Sequence, residues 1–362
     1  MSLYPWQDKA WLELNTSASK LHHAYLLIGP LGAGLERFAN VFASSLICKN
    51  LTDSKQACGN CQDCQWLSTE HPNLKVINSE SEEGASKNIV IESIRNIKKF
   101  VELSSHSIGG KKVILISNTE SLTINAANAL LKILEEPPEN TYLILTTQNI
   151  SSLLPTIISR CVMFKTPTPS ADDAKSFLKA EGYENLSSQL PLFSNLPLDV
   201  IAHQSDSDLF TMMINEFKKG GDFELMAIEP KWLNGDFRET ISLFQKWLYD
   251  IFLFKMTRKH HFFESKKENI KKLSDTADIT KLLNLLKSVN NIKLISNKPN
   301  NKYISFLLKD VSDGITSKKV ATVKILSAKS FISYGSKNNH AKGMQHRTTR
   351  NNAGRILLAR RS

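Results

Sequence analysis

The sequence predicts a mostly parallel α/β domain that carries a four-cysteine zinc insertion and is followed by two helical domains. Three observations support this prediction. Short apolar strands alternate with amphipathic helices over the first ~165 residues. Four cysteines cluster directly after the first helix of that pattern. Beyond about Ser170 only helical periodicity continues.

The composition is that of an ordinary globular protein. A chain of 362 residues is long enough for two or three domains. No apolar run approaches the ~20 residues of a membrane span, and the start lacks a basic segment followed by an apolar one. We therefore expect a cytoplasmic protein without membrane association.

The α/β domain is expected over residues 1–166. Continuous apolar runs are typical of strands that are buried in a parallel sheet. Five runs of this kind are predicted at 24–28, 75–77, 112–116, 141–146 and 161–164. Helical spacing of apolar residues predicts intervening helices around 38–46, 91–101 and 125–136.

Two helical domains are expected next, a small one at 167–206 and a larger one at 207–317. Ser170 and Asp173 have the spacing of a capping box that opens a helix. Apolar stripes at 241–252, 279–289 and 304–311 are typical of the core of a helical bundle.

The cysteines Cys48, Cys58, Cys61 and Cys64 are candidates for a metal site. Thiolates at two-residue spacing can converge on one ion, and four of them satisfy a tetrahedral Zn²⁺ with no open position for water. We therefore predict a structural zinc module at 48–64. The alternative is a set of reduced thiols without metal, and His71 is a possible substitute ligand, although it more simply begins the next strand.

A glycine-rich turn follows the first strand and has the frame of a phosphate-binding P-loop. A working loop reads G-x-x-x-x-G-K-[ST], in which the lysine contacts phosphates and the hydroxyl holds magnesium. Gly29 and Gly34 are in register, but Leu35 and Glu36 replace the lysine and the hydroxyl. We expect the turn to be kept and ATP hydrolysis to be lost.

The second nucleotide element is altered in the same way. An active ATPase ends its central strand with acidic residues that hold magnesium. Here Ser117 and Asn118 follow the strand at 112–116. The stretch 194–198 of the predicted small helical domain contains no arginine.

The C-terminal segment 318–362 is strongly basic. It carries 11 lysines and arginines and no acidic residue. Removing these 11 from the 46 basic residues leaves 35, equal to the 35 acidic residues, so the body has no net charge. We expect a disordered extension, and the alternative is an arm that contacts nucleic acid phosphates.

Four sequence segments occur in a characteristic order. They are His22-His23-Ala24 through Gly29, the four cysteines, the run 125–138 that ends in Leu134-Glu-Glu-Pro-Pro138, and Ser159-Arg160-Cys161. Together they resemble the delta-prime family of bacterial DNA polymerase III clamp-loader subunits, which are AAA+ proteins. The resemblance extends over about residues 1–315, and the tail has no counterpart.

The resemblance implies a function without catalysis by the isolated chain. Such a subunit is the non-hydrolysing stator of a hetero-pentamer with tau/gamma and delta, which loads the sliding clamp on primed DNA as part of the polymerase holoenzyme. Ser159, Arg160 and Cys161 match a motif whose arginine enters the ATP site of a neighbouring tau/gamma subunit. The three domains would be the AAA+ domain, the lid and the oligomerising collar.

Two other functions remain open on the sequence. The first is an active AAA+ ATPase of the tau/gamma class, which Leu35, Glu36 and Asn118 argue against. The second is a zinc-dependent DNA-binding regulator, and the residues between the cysteine ligands lack the basic side chains that such a module needs.

Overall fold

A computed structural model of the chain describes residues 2–17, 21–67, 71–79, 88–102, 110–204 and 237–295, with isolated positions 69, 212, 214, 215 and 218. The predicted stripe at 304–311, the basic tail and part of the proposed collar lie outside the described residues. Within the described ranges, no helix is both long and apolar enough to cross a membrane.

The first part of the chain is a parallel α/β sandwich. Its five strands lie in the order β2-β3-β4-β1-β5, and every pairing is parallel. The strands are β1 (Ala24–Ile28), β2 (Leu74–Ile77), β3 (Lys112–Ile116), β4 (Thr141–Thr147) and β5 (Val162–Lys165). The five predicted strands are confirmed, with ends that differ by one residue.

Helices cover both faces of this sheet, which explains why the middle residues of its central strands are apolar on both faces. One core cluster joins Tyr25 and Leu27 of β1 to helices α1 and α2, and the other joins Ala24 and Leu26 to α4 and α5. The helices of this part are α1 (Asp8–Ser17), α2 (Leu35–Ile47), α3 (Gln62–Trp66), α4 (Ile91–Glu102), α5 (Ile124–Glu135) and α6 (Pro155–Ile158).

A small helical unit follows β5. It consists of α7 (Ala171–Ala180), a 3-10 helix (Glu184–Phe193) and α8 (Pro197–Ala202). The capping box that the sequence predicts is present: the Ser170 hydroxyl accepts from the Asp173 N–H at 3.1 Å, and the Ser170 N–H donates to the Asp173 carboxylate at 3.1 Å. This unit packs its own core around Ala174, Leu178 and Val200.

A second helical core forms from α9 (Phe237–Thr257), α10 (Lys267–Thr276) and α11 (Ile279–Ile295). The stripe predicted at 241–252 supplies its centre, including the buried Trp247. Leu192 of the small unit belongs to the same cluster, and Lys246 Nζ donates to the Leu192 carbonyl.

Candidate functional site

The glycine turn lies between the carboxyl end of β1 and the start of α2. Leu31–Ala33 form a single 3-10 turn, and Gly34 closes it with φ of +85°, in the left-handed region that favours glycine. The strand, turn and helix of a phosphate loop are therefore all present.

Protein groups cover the face of this turn. A Cβ atom on Gly34 would lie 2.4 Å from the Tyr4 ring, and one on Gly32 would lie 2.3 Å from the Asp199 carboxylate. Tyr4 belongs to the N-terminal segment and Asp199 to α8, so two separate parts of the chain press on the loop. Glycine is required at both positions because any side chain would displace these groups.

Glu36 connects the loop to the ends of two strands. Its Oε2 accepts from the Ser117 hydroxyl at 2.7 Å, and its Oε1 accepts from the Thr146 hydroxyl at 3.2 Å. Ser117 follows β3 and Thr146 lies near the carboxyl end of β4, so the carboxylate bridges the edge where a P-loop protein holds magnesium. A carboxylate at this position repels phosphate and satisfies hydroxyls that would otherwise serve a metal ion.

Asp199 adds a second carboxylate beside the turn. Burial raises the pKa of Asp199, and the nearby His203 acts in the opposite direction. The stretch 194–198, which lacks an arginine, leads directly to this residue. The small helical unit thus presents an acidic group to the loop.

Arg160 lies in the short connection between α6 and β5. Its Nη2 donates to Glu135 Oε1 at 2.6 Å, and its Nη1 donates to the Thr156 carbonyl at 2.9 Å. The side chain remains 33% exposed. Arg160 therefore takes part in an ion pair that leaves its guanidinium accessible from solvent.

Arg160 and the glycine turn lie at opposite edges of the sheet. Strand β5 runs parallel to β1, with Val162 opposite Tyr25 and Lys165 opposite Ile28. Arg160 precedes the amino end of β5, whereas the turn follows the carboxyl end of β1. The four-residue step from Ala24 to Ile28 alone separates these edges by roughly 13 Å.

Cys161 follows Arg160 and packs partly buried against the core beneath α5. Burial raises the pKa of its thiol to about 12, so it stays protonated. Ser159 caps α6 and its hydroxyl donates to the Thr156 carbonyl at 3.1 Å. Both neighbours thus serve to fix the segment that carries the arginine.

The four cysteines that the sequence groups together meet in space. Cys48 follows α2 directly, Cys58 lies in the loop after it, Cys61 caps the start of α3 and Cys64 lies within α3. All four Sγ atoms lie within 4.8 Å of one another, and the Cys48–Cys61 and Cys58–Cys64 pairs are 3.9 Å apart. Four sulfurs at about 2.3 Å from a tetrahedral ion are separated by about 3.8 Å, so this cluster fits one metal ion.

Backbone N–H groups favour the thiolate form at this cluster. The N–H groups of Asn60 and Cys61 point at the Cys58 sulfur and lower the pKa of Cys58 to about 6. The Cys58 N–H points in turn at Cys48 Sγ, at 3.3 Å. Burial acts in the opposite direction on Cys48, whose pKa it raises, and on Cys64, whose pKa it raises to about 12. The backbone thus prepares only part of the cluster as thiolate, and a bound cation would displace the remaining thiol protons.

His71 is not part of the cluster, and it does not begin β2 as expected, because that strand starts at Leu74. Its Nδ1 accepts from the Asn73 N–H at 3.0 Å, and its Nε2 faces Asp63 Oδ1 at 3.5 Å. The buried imidazole instead stabilises the four-cysteine module at 48–64 through Asp63, which also pairs with Lys49 at 3.2 Å.

Some functional contacts could not be recognised in the sequence. Thr146 ends an ordinary apolar strand, and Tyr4 lies outside any motif. Asp199 follows the stretch 194–198, and nothing in that stretch indicates that the next residue contacts the turn. Glu135 lies inside the Leu134-Glu-Glu-Pro-Pro138 segment, but nothing in that segment indicates that it pairs with Arg160.

The fold and this site define a class: a parallel α/β domain in which a glycine turn joins the first strand to the helix that follows it. Residues 6–170 match the family described as "DNA polymerase III, delta subunit". The resemblance to the delta-prime family is therefore confirmed for this part of the chain.

Relatives named DNA polymerase III subunit delta' support the same family. This chain is 39% identical over 201 residues to the protein of Pseudomonas aeruginosa, 31% over 205 residues to that of Haemophilus influenzae and 31% over 185 residues to that of Escherichia coli. The matches cover 54%, 56% and 50% of this chain, and 60%, 61% and 54% of those relatives. The chain thus spans less than two thirds of their length.

Among solved structures, a DNA polymerase III gamma subunit-related protein from Thermotoga maritima overlaps with a TM-score of 0.39 at 18% identity. The overlap covers 84% of this chain and 97% of that one.

Proposed function

We propose that this chain is the non-hydrolysing stator of a bacterial clamp loader, which assembles with tau/gamma and delta subunits and helps to load the sliding clamp on primed DNA. In this proposal Arg160 enters the ATP site of a neighbouring tau/gamma subunit. The domains are the AAA+ unit at 1–166, the lid at 167–206 and the collar at 207–317.

The observation that carries this proposal is the separation of Arg160 from the chain's own glycine turn. An arginine at the amino edge of the sheet cannot reach a phosphate at the carboxyl edge of the same domain. A guanidinium that is offered to a neighbouring subunit can stabilise the charge on a transferring phosphoryl group. Glu36 and Asp199 also support the loss of nucleotide handling, because both place negative charge beside the turn.

Zinc is the metal that best suits the four cysteines. Tetrahedral thiolate sites favour Zn²⁺, and four sulfurs leave no position for a reacting water. We propose that the ion is structural and joins the end of α2 to the loop that leads to α3.

The test of the stator function is reconstitution with tau/gamma and delta. Replacement Arg160→Ala should leave an assembled complex whose DNA-stimulated ATPase and clamp loading fall by at least tenfold, because an arginine supplied in trans is worth about 10³-fold or more in related phosphoryl transfers. Normal rates in an intact complex would remove the trans-arginine role.

The rival function is an active ATPase of the tau/gamma class. Turnover by the purified chain alone distinguishes it, since the proposal predicts no magnesium-dependent hydrolysis above background. Robust hydrolysis that Arg160→Ala leaves unchanged would favour the rival.

A further inference from the structure

Glu135 and Arg160 form an ion pair at the amino edge of the sheet. The residues are 25 positions apart, and their charged atoms lie 2.6 Å from each other. Glu135 is the last residue of α5, and Arg160 follows the last turn of α6. The contact therefore joins two helix ends that both face away from the glycine turn.

The contacts of Arg160 orient its guanidinium and still leave N–H groups for another acceptor. Arginine has five N–H groups in a planar fork. One Nη2 hydrogen is directed at Glu135 and one Nη1 hydrogen at the Thr156 carbonyl. Nη1 also lies 3.5 Å from the Ser159 hydroxyl. These anchors set the plane of the fork, and at least two of its N–H groups remain for an acceptor that approaches from outside.

We infer that Glu135 is a positioning residue. It holds Arg160 in the orientation in which the guanidinium can bind a phosphate group in the site of a neighbouring subunit. This inference rests on the proposed role of Arg160 in trans. An arginine side chain loses rotamer freedom when it is ordered, and a preformed contact removes part of that cost before the partner arrives.

The exposure of the pair indicates positioning rather than blocking. Arg160 is 33% exposed and Glu135 is 49% exposed, so water screens their attraction. A screened pair changes the equilibrium between the paired and unpaired side chains by at most about fivefold. That is enough to orient Arg160 but too little to keep it from binding a phosphate.

The chain provides a matched control in the adjacent residue. Glu136 is also exposed, has the same charge, and makes no side-chain contact in the described part of the structure. Glu135→Gln and Glu136→Gln therefore change net charge equally at neighbouring positions, and only the first weakens the contact with Arg160.

The experiment measures steady-state ATP hydrolysis by the complex reconstituted with tau/gamma and delta, with assembly checked by size-exclusion chromatography. Glu135→Gln should lower kcat about threefold with KM for ATP unchanged, because the lost interaction acts on the transition state and not on ATP binding. Glu136→Gln should match wild type. In an Arg160→Ala background, Glu135→Gln should have no further effect.

Each other outcome overturns the inference. An unchanged or higher kcat in Glu135→Gln excludes positioning, as does an equal loss in both Arg160 backgrounds or in the Glu136 control. If Arg160→Ala itself has no effect, the proposed trans role fails as well. A loss with Arg160→Ala but none with Glu135→Gln removes only the present inference.

Discussion

Glu36 and Ser117 are hydrogen-bonded at 2.7 Å although they lie 81 residues apart. The bond ties the first turn of α2 to the end of β3, and the second carboxylate oxygen reaches Thr146 beside it. A single carboxylate thus links the start of α2 to the carboxyl ends of two neighbouring strands. These hydrogen bonds hold the glycine turn in place from within the protein.

Replacement of Glu36 by Ala should therefore destabilise the fold. Ser117 and Thr146 are buried and would lose their acceptor, which costs about 1–3 kcal/mol. Urea unfolding of the purified chain measures the change in the free energy of unfolding. Glu181→Ala is the control, since Glu181 is exposed on α7's C-terminal cap, and an equal loss in both variants would contradict the network.

The sequence predicted much of the fold because local signals and burial agreed. The apolar run at 112–116 could only be a strand with both faces covered, and Ser170 with Asp173 gave a helix start that the structure has. Contacts between distant segments were not predictable in this way. Thr146 reaches Glu36 across 110 residues, and this depends on β4 lying between β3 and β1, an order that no strand encodes by itself.

The same limit applies to the site. The cysteines could be grouped because their spacing is local and their chemistry specific. His71 was harder to place, since its role depends on Asp63, which lies inside the cysteine run and gives no sign of turning inward. Arg160 was identified from its motif, whereas Glu135 became relevant only when α5 and α6 were seen to end at the same edge.

The cysteine cluster should bind one metal ion per chain. Cys61→Ser removes a ligand and should lower the affinity for Co²⁺ by more than tenfold, together with the sulfur-to-cobalt absorption, because a hydroxyl is a poor substitute for a thiolate. Cys161→Ser should leave both unchanged, as Cys161 lies outside the cluster. Equal binding by wild type and Cys61→Ser would exclude the site.

His23 should make stability depend on pH. Burial lowers its pKa, the adjacent His22 lowers it further, and the Leu134 backbone acts in the opposite direction. The two imidazole rings are 4.2 Å apart. Because the unfolded chain takes up a proton at a higher pH than the folded one, stability should fall as pH drops through about 6.5.

His23→Gln should flatten that part of the curve. The free energy of unfolding is measured in urea at about pH 8, where His23 is neutral in both the folded and the unfolded chain, and again at about pH 5.5. The difference between wild type and variant at the higher pH reports packing alone. If the free energy of unfolding falls equally between these two pH values in wild type and His23→Gln, the role of His23 is contradicted.

Asp250 should be essential to the second helical core. It is fully buried, and its two oxygens accept from the N–H groups of His261, Phe262 and Phe263 at 2.8–3.0 Å. Asp250→Ala removes the acceptor of all three N–H groups, of which that of Phe263 is buried, and should cost about 3 kcal/mol. Asp275→Ala removes only an exposed pair with Arg258 and should cost under about 1 kcal/mol in the same unfolding assay.

Trp6 connects the N-terminal segment to both the loop and the small helical unit. Its Nε1 donates to the Ala33 carbonyl at 2.9 Å, its ring stacks on Tyr4 at 4.9 Å, and the Phe177 ring meets it edge-on at 5.3 Å. These contacts hold α7 against the glycine turn.

Trp6→Ala should therefore loosen α7 without unfolding the sheet. We expect amide hydrogen exchange over Ala171–Ala180 to accelerate about tenfold, since aromatic contacts of this kind contribute roughly 1 kcal/mol or more. Trp6→Phe keeps the stacking and loses the hydrogen bond, so its effect should be smaller. Unchanged exchange of α7 in Trp6→Ala, with β1 and β4 protected as in wild type, would show that the small unit is held by other contacts.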